Sequence, residues 1–389
     1  QERGSTMAHK ETMAMSERTR AIRMGMVGGG RDAFIGGVHR MAAALDGSMT
    51  LVAGALSSTP EKAIASGGDL GLDEDRCYGT WEDMLAGELA RSEDDRIEVV
   101  VIVTPNHVHF PVAKASLEAG FHVVCDKPMV CTAAEADALV MAKETSGCVF
   151  AVTYNYTGYP MVKQMRSLVR SGAIGSVRKV MVEYLQGWLA TPLEQTGHKQ
   201  AAWRNDPAKA GVGGAMGDIG SHAENLVSYV TGLGISGVTA DVTTHVPDRV
   251  LDDDVSVLLT FDNGATGILT ASQICPGSRN GLRLRVWGET GGVDWQQEMP
   301  NQLLQTSPDG PDIVHRTADL GLCDAATEAS RLPGGHSEGF IEAFANIYRS
   351  VADAIHAGHD DGGGFDYPDV HDGARGVRFI ERVVGQGNS

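Results

Sequence analysis

Short apolar runs alternate with amphipathic stretches in the first part of the chain, from about Ala21 to Thr153. The run Glu98–Thr104 is apolar at almost every position, which is typical of a strand covered on both faces. Strands are predicted at Ile22–Gly28, Leu51–Leu56, Glu98–Thr104, Phe121–Cys125 and Cys148–Thr153, and helices at Ile35–Leu45, Pro60–Ser66, Trp81–Ala90, Val108–Ala119 and Thr132–Thr145. This alternation indicates a parallel, doubly wound sheet.

After about Tyr154 the chain changes to alternating apolar and polar positions, which is typical of strands with one buried face. Strands are predicted at Val177–Trp188, Gly237–His245, Asp254–Phe261, Thr266–Ile274, Arg283–Trp287 and Gly292–Gln296, and helices at Tyr159–Arg170, Gly217–Tyr229, Phe340–Ile355 and Asp372–Val384. Asn263 and Gly264, between two strands, predict a hairpin with a type I′ turn. We expect a mostly antiparallel sheet that helices cover on one face, while Pro300–Arg331 gives no readable pattern.

The length of 389 residues predicts two domains at about 150 residues each. We place one domain over 19–153 and the other over 154–389, where the pattern changes, and we expect 1–18 to be flexible. The predicted fold class is α/β: a doubly wound parallel sheet is followed by an α/β domain with a large, mostly antiparallel open sheet. The uncovered face of such a sheet favours pairing between copies, so a homodimer or homotetramer is expected.

The chain carries 50 acidic side chains against 32 lysines and arginines, for a net charge of -18. This balance argues against binding to nucleic acid or to anionic lipid surfaces. The six cysteines form no CxxC pair and indicate no disulfide framework. Gln1–Arg18 has no apolar core of a signal peptide, and we expect a cytoplasmic protein.

A glycine-rich loop follows the first predicted strand. Gly28 and Gly30 stand where the GxGxxG pattern has its first two glycines, which permit a tight turn and a close approach of a pyrophosphate to the backbone. Ala33 stands at the third glycine position and Gly36 comes three residues later, so we expect a longer loop than usual. The predicted dinucleotide contacts here are Gly28, Gly30, Ala33, Phe34 and Ile35.

The second strand ends without the acidic residue that usually binds an adenine ribose. Ser57 and Ser58 stand there instead, and no basic residue follows before Lys62. Small hydroxyl groups can contact the adenine ribose of NAD or that of NADP. We predict NAD as the cofactor, with NADP as the alternative, and we include both serines among the contacts.

Two polar segments follow the next strands, at Thr104–His109 and Asp126–Pro128. Because carboxyl ends of parallel strands line the ligand crevice of such sheets, both segments are expected there. Lys127 precedes a proline, which restricts its backbone and helps to aim its ammonium group. The predicted crevice contacts are Thr104, Pro105, Asn106, His109, Asp126 and Lys127. His107 and His109 have the spacing of zinc ligands, but no third ligand accompanies them, and we predict no metal.

Asp218 and His222 lie four residues apart in a segment that is predicted to open a helix. Both side chains can therefore face the same way. A histidine in the first turn of a helix lies near the positive end of the dipole, which favours the neutral imidazole that a general base needs. The competing interpretations are that Asp218 only caps the helix and that His222 is a structural histidine.

The order and spacing of these motifs resemble the Gfo/Idh/MocA family, the glucose–fructose oxidoreductases and inositol dehydrogenases. The resemblance extends from about Ile22 to the last helix. This chain differs from the family pattern in its longer first loop and in Asp126, where the family usually has Glu. Thr153–Tyr156, Trp203-Arg204 and Leu332–Phe340 are similar to the branch that contains levoglucosan dehydrogenase.

The resemblance implies a Rossmann domain, a substrate-binding α/β domain and reversible hydride transfer between a nicotinamide and a carbinol of a sugar, anhydrosugar or polyol. It assigns catalysis to Lys127, Asp218 and His222. The implied substrate contacts are Lys127, Asn155, Tyr156, Trp188, Arg204, Asp218, His222 and His336, with Asn225 as a further polar candidate. The aromatic residues near Trp188 have an alternative interpretation as core.

Two other functions remain open from the sequence. One is glycoside cleavage by an enzyme that uses bound NAD only transiently, through a keto intermediate. The other is a sensor of NAD(P) or sugars without turnover. Lys127, Asp218 and His222 argue against the sensor, because a protein that only binds has no need for a proton relay.

Overall fold

The computed structural model describes residues 20–358 and 364–387, and the flexible segment predicted at 1–18 lies outside them. Its first sheet is parallel, with strand order β2-β1-β3-β4-β5. Its strands are β1 (Ile22–Gly28), β2 (Met49–Ala55), β3 (Val99–Val103), β4 (His122–Cys125) and β5 (Phe150–Val152), and its helices are α1 (Phe34–Leu45), α2 (Pro60–Asp69), α3 (Trp81–Leu89), α4 (His109–Glu118) and α5 (Ala133–Ser146). The predicted doubly wound sheet is confirmed.

The second sheet has eight strands in the order β13-β12-β11-β10-β6-β9-β8-β7. Its strands are β6 (Lys179–Leu185), β7 (Ile235–Thr243), β8 (Asp254–Phe261), β9 (Thr266–Ser272), β10 (Gly281–Trp287), β11 (Gly292–Gln296), β12 (Gln302–Thr306) and β13 (Ile313–Arg316). Its strand pairs are antiparallel apart from the parallel pair β6–β9. The mostly antiparallel open sheet is also confirmed.

Seven further helices complete the described fold: α6 (Pro160–Arg170), α7 (Lys199–Arg204), α8 (Pro207–Ala210), α9 (Ser221–Thr231), α10 (Asp324–Glu328), α11 (Phe340–Ala357) and α12 (Val370–Gly387). α6 and α9 pack on one face of the second sheet, whose alternate residues, such as Val180 and Val182, form a core with Val162 and Leu226. Within the described residues, no helix is long and apolar enough to cross a membrane.

The two C-terminal helices return to the first sheet. α11 packs against α1, and its Phe344 and Tyr348 share a core with Ile22 and Met24 of β1. The Tyr348 hydroxyl lies 2.7 Å from Nδ1 of the buried His39. α12 packs against α5. The domain boundary at 153 stays a prediction, and residues beyond it complete the core of the first sheet.

Two local predictions need correction, and the segment without a readable pattern has defined elements. The hairpin after β8 has a positive φ only at Gly264, and Asn263 has not, so the turn is not type I′. The helix predicted at Gly217–Tyr229 begins with a wide π-helical turn at Met216–Gly220. Pro300–Arg331 contains β12, β13 and α10, which are short and largely polar and therefore gave no pattern.

Candidate active site

A cleft of about 1360 Å³ opens between the carboxyl ends of the first sheet and the second half of the chain. Most of the residues predicted from the sequence line it: Gly28, Gly30, Ala33, Phe34, Ile35, Ser57, Ser58, Thr104, Pro105, Asn106, Asp126, Lys127, Asn155, Tyr156, Trp188, Arg204, Asp218 and His222. The fold therefore brings segments far apart in the chain to one cavity.

The glycine-rich loop has no room for side chains. A Cβ atom on Gly28 would stand 2.7 Å from the Val103 carbonyl oxygen, and one on Gly30 would stand 2.5 Å from that of Leu56. Gly36 packs against Gly29, where a Cβ would meet the Gly29 Cα at 2.3 Å. Gly36, and not Ala33, therefore provides the close helix-to-loop packing that the third glycine of the pattern supplies.

The start of α1 is suited to bind an anion. Ala33 precedes the helix without a capping side chain, and the first turn contains no acidic residue. The backbone N–H groups of Phe34 and Ile35 belong to this first turn, whose donors have no intrahelical partner, and both residues line the cleft. Together with the bare glycine loop, this arrangement fits the pyrophosphate of a dinucleotide.

At the far end of the cleft, Ser57 and Ser58 follow β2 as predicted. Two basic side chains in this region form ion pairs, since Arg31 bonds both carboxylate oxygens of Asp69 and Lys62 bonds Asp32 at 2.7 Å. A third cation, Lys199, lines the cleft. This end of the cleft therefore offers hydroxyl groups to a ribose beside cations that are partly paired with carboxylates.

Lys127 and Asp218 form an ion pair across the cleft. The Lys127 ammonium donates to Asp218 Oδ1 at 2.9 Å and also to the Asp218 carbonyl oxygen. Burial alone would raise the pKa of Asp218, but the Lys127 and Arg204 cations and the bonds from Lys127 and Gln273 hold this pKa well below its ordinary value. Asp218 is therefore a carboxylate at every physiological pH.

Asp126, which stands where the related family usually has Glu, is anchored at the base of this pair. Its Oδ1 accepts the Thr153 hydroxyl at 2.9 Å and the Lys127 backbone N–H at 2.9 Å. Asp126 has a shorter side chain than the Glu usual at this position, but its carboxylate bonds the Lys127 backbone directly. Asp126 therefore still fixes the start of the loop that carries Lys127.

His222 lies beside the ion pair and lines the cleft. Its ring meets Tyr156 edge-on at 4.8 Å between centroids and Tyr154 at 5.6 Å. Burial lowers the pKa of His222 well below its ordinary value, and Lys127 lowers it further while Asp218 opposes them. The imidazole is neutral as expected, but the cause is burial and Lys127. The helix begins with the π-helical turn at Met216–Gly220 and continues into α9, so His222 lies beyond the first turn of the whole helical segment.

Three predicted residues lie outside the cleft lining. The His109 ring is fully buried, with its nitrogens 3.0 Å from the Pro128 carbonyl oxygen and 2.9 Å from that of Thr104. His109 therefore links the segment after β3 to the segment after β4 from inside the protein. His336 is exposed in a turn and Asn225 is buried behind the site, so neither is placed to touch a ligand. Within the described ranges, no three metal-ligating side chains gather around a common point.

The structure adds residues that the sequence did not indicate. Tyr184, Gln186 and Asn280 form one wall of the cleft, and the buried Gln273 stands behind it. The Arg204 guanidinium stacks 4.3 Å from the Trp203 ring centroid, with its Nε 3.3 Å from Asp218 Oδ2. Arg204 was predicted from the sequence. Tyr184, Gln186, Gln273 and Asn280 sit at or beside strand ends without a motif of their own, so no signal in one sequence could have found them.

Comparison with known families now defines the class. Residues 22–154 match the family model of oxidoreductases with an NAD-binding Rossmann fold. Residues 162–294 match the model of the Gfo/Idh/MocA C-terminal domain. The chain therefore belongs to the Gfo/Idh/MocA family of NAD-binding oxidoreductases.

Individual relatives agree with this assignment. An uncharacterised oxidoreductase of Bacillus subtilis is 35% identical over 377 residues, which cover 95% of each chain. A levoglucosan dehydrogenase of Pseudarthrobacter phenanthrenivorans is 30% identical over 72% of this chain and 75% of its own. An inositol dehydrogenase homologue of Azotobacter vinelandii, solved with NAD+, superposes with a TM-score of 0.92 at 35% identity and 96% coverage of both chains.

Proposed function

We propose that this oxidoreductase transfers a hydride between NAD, or alternatively NADP, and a carbinol carbon of a sugar, anhydrosugar or polyol. The observation that carries the proposal is the Lys127–Asp218 ion pair, with the neutral His222 beside it, in the same cleft as the dinucleotide loop. The relatives named levoglucosan and inositol dehydrogenases support a polyhydroxylated substrate. When bound, the nicotinamide accepts or supplies the hydride.

The protein side chains accept and return the proton of the reacting hydroxyl group. His222 is neutral and buried at the cleft, so it accepts the hydroxyl proton as general base and returns it in the reverse direction. The Lys127 ammonium hydrogen-bonds the same oxygen and stabilises the charge that develops there. Asp218 bonds Lys127, and we assign to it the orientation of that ammonium.

The remaining cleft residues suit a carbohydrate. Asn155 has a buried amide nitrogen with no protein partner among the described residues, so it has a donor left for a ligand. Trp188 and Tyr156 provide aromatic surface, and Arg204 provides a charged donor. Sugar rings combine apolar faces with hydroxyl groups, and this mixture of aromatic and donor side chains matches both.

The test is the change in nicotinamide absorbance when the protein meets NAD or NADP with a panel of sugars, anhydrosugars and inositols. Turnover of any of them supports the proposal and ranks the cofactors. Cofactor binding without turnover across the panel contradicts it and favours a sensor. Release of a leaving group from a glycoside without net cofactor reduction favours the glycoside-cleaving alternative.

We also propose that copies of the chain pair through the outer face of the second sheet. Leu258, Ile268 and Met181 lie side by side across β8, β9 and β6 and point away from the helices that cover the other face. An apolar row on an uncovered sheet face favours association.

A further inference from the structure

Gln273 is a buried amide directly behind the proposed catalytic pair. It follows β9, is 2% exposed and does not line the cleft. Its backbone is fixed from both sides, because its N–H donates to the Asp253 carbonyl at 2.9 Å and its carbonyl accepts from Leu189 N–H at 3.2 Å. The side chain therefore starts from a fixed position.

The Gln273 side chain contacts Asp218 on the oxygen that Lys127 leaves unused. Its Nε2 donates to Asp218 Oδ2 at 2.9 Å, while Lys127 donates to Oδ1. The carboxylate is thus held on one oxygen by the cation that faces the substrate and on the other by a neutral buried donor. The Arg204 Nε also lies 3.3 Å from this second oxygen, in an ion pair. A carboxylate held this way cannot rotate away from Lys127 without breaking a bond.

The same Nε2 lies 3.3 Å from Gln186 Oε1, which also accepts from Trp188 Nε1 at 2.9 Å. Because Asp218 is ionised and can only accept, Gln273 must present its NH₂ group there. Gln186 must then direct its oxygen towards Gln273 and its Nε2 towards Asn280 Oδ1, at 3.0 Å. The Trp188 indole, which can only donate, and Gln273, which the charge on Asp218 orients, therefore both fix the orientation of Gln186.

The direction of bonding continues along the wall. Tyr184 donates its hydroxyl to Asn280 Oδ1 at 2.6 Å, and Asn280 Nδ2 donates to the Tyr156 hydroxyl at 3.2 Å. Tyr156 then donates to the Tyr184 hydroxyl at 2.5 Å. Each of these bonds has one allowed direction. Gln186 and Asn280 each retain a second amide hydrogen, so the wall offers donors.

We propose that Gln273 is a positioning residue that locks the Asp218 carboxylate onto Lys127 and, together with Trp188, makes the wall of Gln186 and Asn280 a donor surface for substrate oxygens. This inference rests on the proposed dehydrogenase function. A residue outside the cleft would then control both the geometry of the Lys127–Asp218 ion pair and the polarity of the wall that faces the substrate. The substrates that fit are those with acceptor oxygens next to the reacting carbinol, as in polyhydroxylated rings.

The test compares Gln273→Met, which keeps the length and removes the donor, with Gln273→Glu, which keeps the shape and places a second carboxyl group against Asp218. Two buried carboxyl groups at this distance share one proton at neutral pH, so Gln273→Glu still donates to Asp218 until that proton is lost at higher pH. Loss of a hydrogen bond to a charged group predicts a fall in kcat of about tenfold or more for Gln273→Met, with the KM for NAD within about twofold of wild type. Gln186→Met, which spares the Asp218 contact, is expected mainly to raise the KM for the carbohydrate. Gln302→Met, exposed on β12, is the surface control.

The pH profile separates positioning from simple support of the fold. When the shared proton leaves, the two carboxylates of Gln273→Glu repel each other and Asp218 is no longer held, so kcat/KM should fall at high pH along a limb that Gln273→Met lacks. A kcat for Gln273→Met within twofold of wild type overturns the inference. So does a lowered kcat with identical limbs in both variants, because that result indicates a structural role only.

Failure of the proposed function would look different. If the wild type turns over no carbohydrate, that function fails. The inference is then tested without turnover, by the pH dependence of the free energy of unfolding in urea. The shared proton raises a carboxyl pKa in native Gln273→Glu, so its stability should fall as the pH rises through that pKa, whereas Gln273→Met should show no such fall. Equal profiles in the two variants overturn the inference.

Discussion

Gly36 on helix α1 lies directly against Gly29 in the glycine-rich loop, so close that a Cβ atom on Gly36 would stand 2.3 Å from the Gly29 Cα. The loop and the helix can hold this relation only while position 36 has no side chain. The neighbouring Gly37 differs, since its nearest contact for a Cβ is the end of the Arg40 side chain at 3.9 Å.

This contrast gives a matched pair of variants for cofactor binding. Gly36→Ala must push the helix away from the loop and is expected to weaken NAD binding by tenfold or more, by disturbing the anion site at the start of α1. Gly37→Ala has space, and alanine favours a helix, so it should bind NAD normally with equal or higher stability. Calorimetric titration with NAD measures both, and equal affinities would contradict the assigned role of Gly36.

Lys127→Met should abolish most of the turnover. The missing ammonium removes the charge that stabilises the reacting oxygen, and we expect kcat to fall by about 10²–10⁴ with little change in NAD affinity. Because Lys127 lowers the pKa of His222, the variant should also move the acidic limb of activity to higher pH. Lys114→Met, which removes an exposed lysine of α4, is the control, and near-normal turnover of Lys127→Met would exclude Lys127 from the mechanism.

The buried His39 makes stability sensitive to acid. Burial lowers the pKa of His39 below the usual value near 6.5. Below that pH the unfolded chain therefore binds a proton at His39 that the native chain does not bind. The stabilisation is complete above about pH 6.5 and is lost as the pH falls towards the native pKa, by at most about 1.4 kcal/mol per pH unit. His39→Asn should make the pH dependence of the free energy of unfolding shallower in urea titrations, whereas His336→Asn, at an exposed turn, should not.

The apolar row on the second sheet predicts the state of association. If copies pair through this face, light scattering at micromolar concentration should give a mass of a dimer or tetramer, and Ile268→Asp should reduce it to that of one chain. Ile64→Asp, at an exposed position on α2, should leave the assembly intact. A wild-type monomer would refute the proposed interface.

The sequence predicted most of the fold because its strands are short and strongly patterned. Ile22–Gly28 and Gly292–Gln296 match the structure end to end. The β12–β13 hairpin was missed because it lies at the edge of the sheet, where Ile313 and Val314 remain partly exposed and one face is not buried enough to impose alternation.

The site was predictable where local chain geometry places a residue in the crevice. Lys127 and Thr104 follow parallel strands, and their position is set by the sheet. Asn225 was placed wrongly because chain proximity to His222 does not give the direction of a side chain on a helix that starts with a π-helical turn. Gln273 depends on a contact between segments 55 positions apart, which no single sequence pattern records.

The return of α11 to the first sheet affects how the protein is made. Tyr348 and Phe344 belong to the same apolar core as Ile22 and Met24 of the first strand, so this core stays incomplete while the intervening residues leave the ribosome. Domains that close early can fold during synthesis, but here the N-terminal core waits until α11 has been synthesised. A nascent chain that stops before α11 should therefore attract chaperones, and a competent dinucleotide cradle should form only once α11 has left the ribosome.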